Sequence, residues 1–146
     1  MKLKGRYKIT VVENGRVVSE SPWIKNLVMQ GVSNGTGMIT RQLVSDTTYP
    51  LGITTAEIGT SATAPAISDT NLVAPVLTAI PIRTKSATAT VATFSFFIPD
   101  GDLANGTYRE FGLRAGARLF ARSLISPVYT KATGQDAIIT YEISVN

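Results

Sequence analysis

The sequence predicts an all-β chain, and three observations carry that prediction. Val, Ile and Thr make up 44 of the 146 residues, while charged residues are only 16%; β-branched side chains suit a pleated, half-buried surface better than a helix. Ile139, Tyr141, Ile143 and Val145 alternate strictly with Thr140, Glu142 and Ser144, the period of a strand with one buried face. Asn14-Gly15 stands between two apolar alternating runs, and that dipeptide supplies the positive φ values of a two-residue hairpin turn. The resulting expectation is one domain over 1–146, an antiparallel β-sandwich or jelly-roll-like barrel of roughly eight strands with one short helix.

The first strand carries Lys2, Lys4, Arg6 and Lys8 on one face and Leu3, Tyr7, Ile9 and Val11 on the other, with Gly5 the only gap in the apolar row. Those four cations account for the whole net charge of +4, since positions 9–146 balance. The row reads either as protection of an edge strand, for which lysine is a common device, or as a contact for an acidic partner. A partner protein is favoured over nucleic acid, because no aromatic platform is evident on that face. Counting outward from Asn14-Gly15 pairs Glu13 with Arg16, Val12 with Val17 and Val11 with Val18. Trp23, the single tryptophan, is expected to close a core edge.

From Asn26 to Asp46 the apolar spacing turns helical, and the interrupting glycines confine the helix to Gly37–Val44. Asn34-Gly35-Thr36-Gly37 lacks the Lys-Ser/Thr ending of a phosphate loop and reads as a turn into that helix. Ile53–Ile58 is the next strand. The Thr-, Ala- and Ser-rich excursion between Pro65 and Pro75 is either an arm on a neighbouring subunit or a loop on its own. Strands at Leu77–Lys85 and Thr88–Ile98 follow, with Pro81 marking an edge or a bulge. Phe94 and Phe96 share one face of the second and Phe97 takes the other, which suits a sandwich interior or an oligomer contact. Thr107–Arg114 and Arg118–Ile125 form a second hairpin about Ala115-Gly116, and the alternating strand closes the chain.

Absent residue types bound the chemistry. The chain has no Cys and no His, which removes disulfides, thiolate and imidazole metal ligands, and every triad with a His base. Asp100-Gly101-Asp102 with Asn105 has hard oxygen ligands but not the spacing of a calcium loop, so no metal and no cofactor are expected. Glu110 and Glu142 are the one carboxylate pair that could serve glycoside hydrolysis; with Arg109 and Arg114 nearby, ion pairing is the simpler use, and no catalytic residue is expected. Arg114, Arg118 and Arg122 read as intersubunit ion pairs. No apolar run approaches the roughly 20 residues that cross a bilayer or the h-region of a secretory signal.

An ordered set of short segments resembles a family of small structural proteins of tailed bacteriophage virions. They are Lys25-Asn26-Leu27, Ile58-Gly59-Thr60, Thr63-Ala64-Pro65, Ser68-Asp69-Thr70-Asn71-Leu72, Tyr108-Arg109-Glu110-Phe111-Gly112-Leu113, Leu119-Phe120-Ala121-Arg122 and Thr140-Tyr141-Glu142-Ile143. The resemblance implies a β-rich oligomeric virion component of tail, neck or collar, assembled in the host cytoplasm, or alternatively a capsid decoration protein. It implies no catalytic or cofactor site. The expected partners are copies of the chain and other virion proteins, without direct contact to nucleic acid or membrane, and the partner-contact residues are Lys2, Lys4, Arg6, Lys8, Phe94, Phe96 and Phe97. A rival class is a glycan-binding module stacking sugars on Trp23, Tyr49 or Tyr108.

Overall fold

The positive-φ pair Asn14 (φ 50) and Gly15 (φ 75) turns the chain sharply between β1 (Leu3–Glu13) and β2 (Arg16–Glu20), as the dipeptide requires. The computed structural model, which describes residues 2–146, continues with β3 (Ile24–Val28), α1 (Thr36–Leu43), β4 (Thr55–Gly59), β5 (Pro75–Ala87) and β6 (Val91–Ile98). A 3-10 turn at Asp100–Asp102 leads into β7 (Gly106–Ala115), β8 (Arg118–Lys131) and β9 (Gln135–Val145). Around the sheet the order is β1, β3, β8, β7, β4, β5, β6, β9, and β9 pairs back onto β1. Every pairing is antiparallel. Eight strands therefore close a barrel, and β2 lies outside the ring against the upper half of β1. Among the described residues no helix is long and apolar enough to cross a membrane.

A ring of eight strands leaves an interior that side chains alone can fill. Tyr7, Phe96, Phe111, Tyr141, Ile58, Leu113 and Ile139 fill it, all fully buried. The Tyr7 ring stacks on Tyr141 at 5.4 Å and lies 5.0 Å from Phe111, while Ser123 Oγ and the Tyr7 hydroxyl share a hydrogen bond of 2.6 Å. Gly5, the gap in the inner row of β1, faces Asn26 on β3, whose amide reaches inward to the Tyr141 hydroxyl. A Cβ at Gly5 would stand 2.0 Å from Asn26 Oδ1, so the glycine is the space that side chain occupies.

Several expectations are corrected. β1 is not an edge strand: β9 pairs with it from Leu3 to Glu13, and β2 and β3 share its other flank. Edge protection therefore cannot explain its basic row. Glu13–Arg16 and Val12–Val17 pair as counted, but a bulge between Val11 and Val12 sets Val11 opposite Ser19, not Val18. Of the two readings of Pro81, the edge fails and the bulge holds, since the register of β5 shifts on both sides of it, between Leu77 and Ile80 against β4 and between Ile82 and Thr84 against β6. Pro81 sits where the partner of β5 changes from β4 (Thr55 opposite Pro81) to β6 (Ile82 opposite Phe96), two residues after Ala79 at φ 56. The excursion before Pro75 is no arm, because it binds its own barrel: Asp69 and Thr63 accept from Arg122 on β8, and the Val73 and Ala74 N–H groups donate to Glu110 on β7.

Gly15 gives the first prediction. A Cβ there would meet nothing within 4 Å, so Gly15→Val tests backbone strain alone. The expected cost is about 1–2 kcal/mol for a non-glycine residue held at this φ. Because β2 is exposed along its whole length, the loss should appear first as faster amide exchange over residues 16–20, with a small fall in melting temperature. Unchanged exchange would mean that the turn is not what holds β2.

Candidate functional site

The basic row is only half free. Arg6 donates to Glu142 Oε2 at 2.9 Å, and the Lys8 ammonium contacts Glu20 Oε1 at 3.0 Å, which holds the Glu20 carboxyl below its usual range. Trp23 does not close a core edge. It lies outside the barrel, 38% exposed, with the Arg6 guanidinium 4.1 Å and the Lys8 ammonium 5.2 Å from its ring centre. An aromatic side chain thus does share the basic face, and its π surface is already taken by two cations. The antiparallel pairing of β3 with β1 sets Lys25 opposite Arg6 and extends the row sideways. Sequence reading missed Lys25, because nothing local shows that residues 24–26 lie beside residues 5–7.

Lys2, Lys4, Arg6 and Lys25 line a cleft of about 740 Å³ at one end of the barrel, together with Glu142 and with Thr36 at the start of α1. Among the described residues, Lys2, Lys4 and Lys25 take part in no ion pair. Beside this cleft, Val32 and Val44 line a shallower recess against α1, and Val32, Leu43 and Val44 are 78%, 80% and 76% exposed. The local fold that creates this edge is the turn read at Asn34-Gly35: Asn34 Nδ2 donates to Leu119 O at 3.1 Å and ties the helix entry to β8.

The aromatic partner-contact residues separate. Phe96 is fully buried in the barrel's own core and is not open to a partner; Phe94 packs half-buried against the same core. Phe97 alone turns outward, where the Arg83 guanidinium covers it at 5.2 Å. Of the sugar-stacking candidates, Tyr108 is buried with its hydroxyl donating to Ala104 O, and Tyr49 carries Arg118 at 4.0 Å and Arg41 at 5.9 Å.

Glu110 and Glu142 do not converge. Glu142 faces outward on Arg6, whereas Glu110 is wholly buried under the 60–74 loop. Its carboxylate accepts from the backbone N–H groups of Ser61 (3.1 Å), Val73 (2.9 Å) and Ala74 (2.7 Å) and from Arg122 at 3.2 and 3.3 Å. Arg122, also buried, donates to Asp69 Oδ2 at 2.9 Å and Thr63 O at 2.7 Å. One ion pair thus pins both ends of the loop to β7 and β8, and Leu72 packs onto the bare backbone of Gly112 between them. Arg114 likewise stays within its own barrel, bonded to Glu57 (3.1 Å), Asn71 Oδ1 (2.8 Å) and Ala117 O (3.0 Å). The intersubunit role expected of Arg114 and Arg122 is therefore replaced by an internal one.

At the opposite end of the barrel stand the carboxylates of Glu13, Asp100, Asp102 and Asp136. The oxygens of the Asp100–Asn105 loop converge on the Lys131 ammonium, which contacts Asp100 Oδ1 and, at 3.2 Å, Asn105 Oδ1; this contact holds the Asp100 carboxyl below its usual range. Asp136 Oδ1 accepts from the Asp100 N–H at 2.8 Å, and Glu13 Oε1 from Gln135 Nε2 at 2.9 Å. Among the described residues no group of three or more acidic side chains is arranged to hold a metal ion.

Comparison with protein-family models, with curated proteins and with solved structures finds no match. Buried ionisable side chains hold loops in place, and the outer surface presents a basic cleft beside exposed apolar groups.

Proposed function

We propose that the chain is a structural subunit of a tailed-bacteriophage virion, placed in the tail or neck region and acting by oligomeric protein–protein assembly without catalysis or a cofactor. The observation that carries this reading is the barrel end where unpaired Lys2, Lys4 and Lys25 adjoin the exposed Val32, Leu43 and Val44. Contiguous exposed apolar groups beside unsatisfied charge are what a protein partner covers. The committed roles of Glu110, Glu57 and Asp100 support the non-catalytic part, since each carboxylate already holds an internal cation. The resemblance of the ordered segments from Lys25 to Ile143 supports the virion setting. Within this reading the ring is an antiparallel β-sandwich or a jelly-roll-like barrel, which the 5.0 Å approach of Tyr7 and Phe111, three strands apart around the ring, supports.

Capsid decoration is the second reading, favoured by the free lysines, which would dock on an acidic shell. Mass spectrometry of purified particles should find the chain in many copies, and antibody labelling of intact particles should mark the tail or neck. Labelling over the whole shell would select decoration instead. A chain absent from particles would overturn both.

A further inference from the structure

We infer that the basic cleft is a docking surface for the acidic end of a second copy of this chain, so that barrels associate head to tail. The inference deepens the assembly reading and rests on it for the setting alone. β1 runs the length of the barrel, from Lys4 at one end to Glu13 at the other, about 30 Å at the rise of an extended strand. At the first end stand Lys2, Lys4, Arg6 and Lys25, opposed in the cleft by the single carboxylate side chain of Glu142. At the second, register and hydrogen bonds gather Glu13, Asp100, Asp102 and Asp136: Glu13 lies opposite Gln135, Val12 opposite Asp136, and the 3-10 turn of Asp100–Asp102 is bound to Asp136. The Lys131 ammonium offsets Asp100, and Arg16, opposite Glu13, and the exposed Arg109, at the level of Val128, are further cations toward that end, so the carboxylates there exceed the cations by one.

Side-chain charge therefore differs between the two ends, four cations against one carboxylate in the cleft and four carboxylates against three cations at the far end. Two basic ends repel, as do two acidic ends, so a symmetric dimer through either end is disfavoured and the complementary contact joins unlike ends. Each end also carries apolar side chains that charge alone leaves in water, Val32, Leu43 and Val44 beside the cleft and Val17 and Val128 toward the acidic end. A contact between unlike surfaces closes into a ring or continues as a stack, according to the rotation between copies.

The test uses two charge-reversed proteins. Wild-type chain in sedimentation or native mass measurements should self-associate, and the association should weaken at least ~10-fold between ~0.1 M and ~1 M salt, as the screening length falls from ~10 to ~3 Å. Lys4→Glu with Lys25→Glu should be monomeric, because both its ends are acidic. Glu13→Lys with Asp102→Lys should also be monomeric, because both its ends are basic. Mixing the two should restore assembly, which also shows that both are folded. A wild-type monomer at low salt, reversed proteins that still assemble alone, or a mixture that stays dissociated would each overturn the inference. So would single-stranded DNA or an acidic polypeptide filling the cleft of a chain that never binds itself. Particles containing the chain would in that case leave the virion reading standing, and stacking of a chain absent from particles would remove that reading alone.

Discussion

Arg122→Met is expected to destabilise the barrel by about 3–5 kcal/mol, because it leaves the Glu110 carboxylate buried without its counter-ion. Methionine keeps most of the side-chain volume, so the loss reports charge and hydrogen bonding more than a cavity. Four distinct acceptor contacts of Arg122 vanish together, to Glu110, Asp69 and Thr63, and with them the attachment of the 60–74 loop. Denaturant or thermal unfolding should show the loss as a fall in melting temperature of roughly 10–15 °C for a chain of this size. Limited proteolysis should cut within residues 60–74 before it cuts the barrel. Adding Glu110→Gln should recover about half the loss, since the stranded charge is then gone while the amide oxygen still accepts from part of the Ser61, Val73 and Ala74 donors. A single-variant cost under about 1 kcal/mol, with the loop still protected, would show that the pair does not organise this face.

That pair also marks where the sequence stops being legible. The Asn14-Gly15 turn and the inner faces of β1 and β9 could be read because each depends on residues within a few positions: Tyr7, Ile9 and Val11, and Ile139, Tyr141 and Ile143, are all buried as their alternation requires. β8 breaks that rule. Leu119 through Ser123 are buried on both faces, because the 60–74 loop covers the outside of β7 and β8. Arg122 therefore reads as a surface residue locally and becomes interior only through residues some fifty to sixty positions away. Closure is invisible for the same reason, since β1 meets β9 across nearly the whole chain. The candidate site was half legible: the four cations of the first strand were, but Lys25 joins them only through strand pairing, and Phe96 leaves the contact set only through closure. The acidic end was not legible at all, being assembled from β1, β9 and the turn after β6.

The closed core also sets an alkaline limit on the fold. Burial pushes the phenols of Tyr7 and Tyr141 well above their ordinary value near 10, in Tyr141 with the neighbouring Tyr7 opposing ionisation, and burial first, then nearby phenol and carboxylate charges, push Tyr129 up to about 12. In the unfolded chain these groups ionise near pH 10. Between the two values the native state holds protons that the unfolded state has released, so stability is intact below pH 10 and falls as pH rises above it. Tyr7 and Tyr141 each contribute a slope of about 1.4 kcal/mol per pH unit, together close to 3, and Tyr129 adds the same slope only up to about pH 12, where it ionises in the folded chain as well. A domain of ordinary stability, about 5–15 kcal/mol, cannot withstand that slope for more than a few pH units. Denaturant midpoints measured from pH 9 to 12 should therefore drop steeply, and tyrosinate absorbance should rise together with the loss of β structure. Tyr129→Phe is the clean variant: its hydroxyl makes no protein hydrogen bond, so stability at neutral pH should hold while the alkaline slope becomes shallower. Ionisation of all five tyrosines near pH 10 with the barrel intact would mean that the Tyr7, Tyr141 and Phe111 stack is open to water, and the closed interior on which the loop anchors and the two charged ends depend would have to be abandoned.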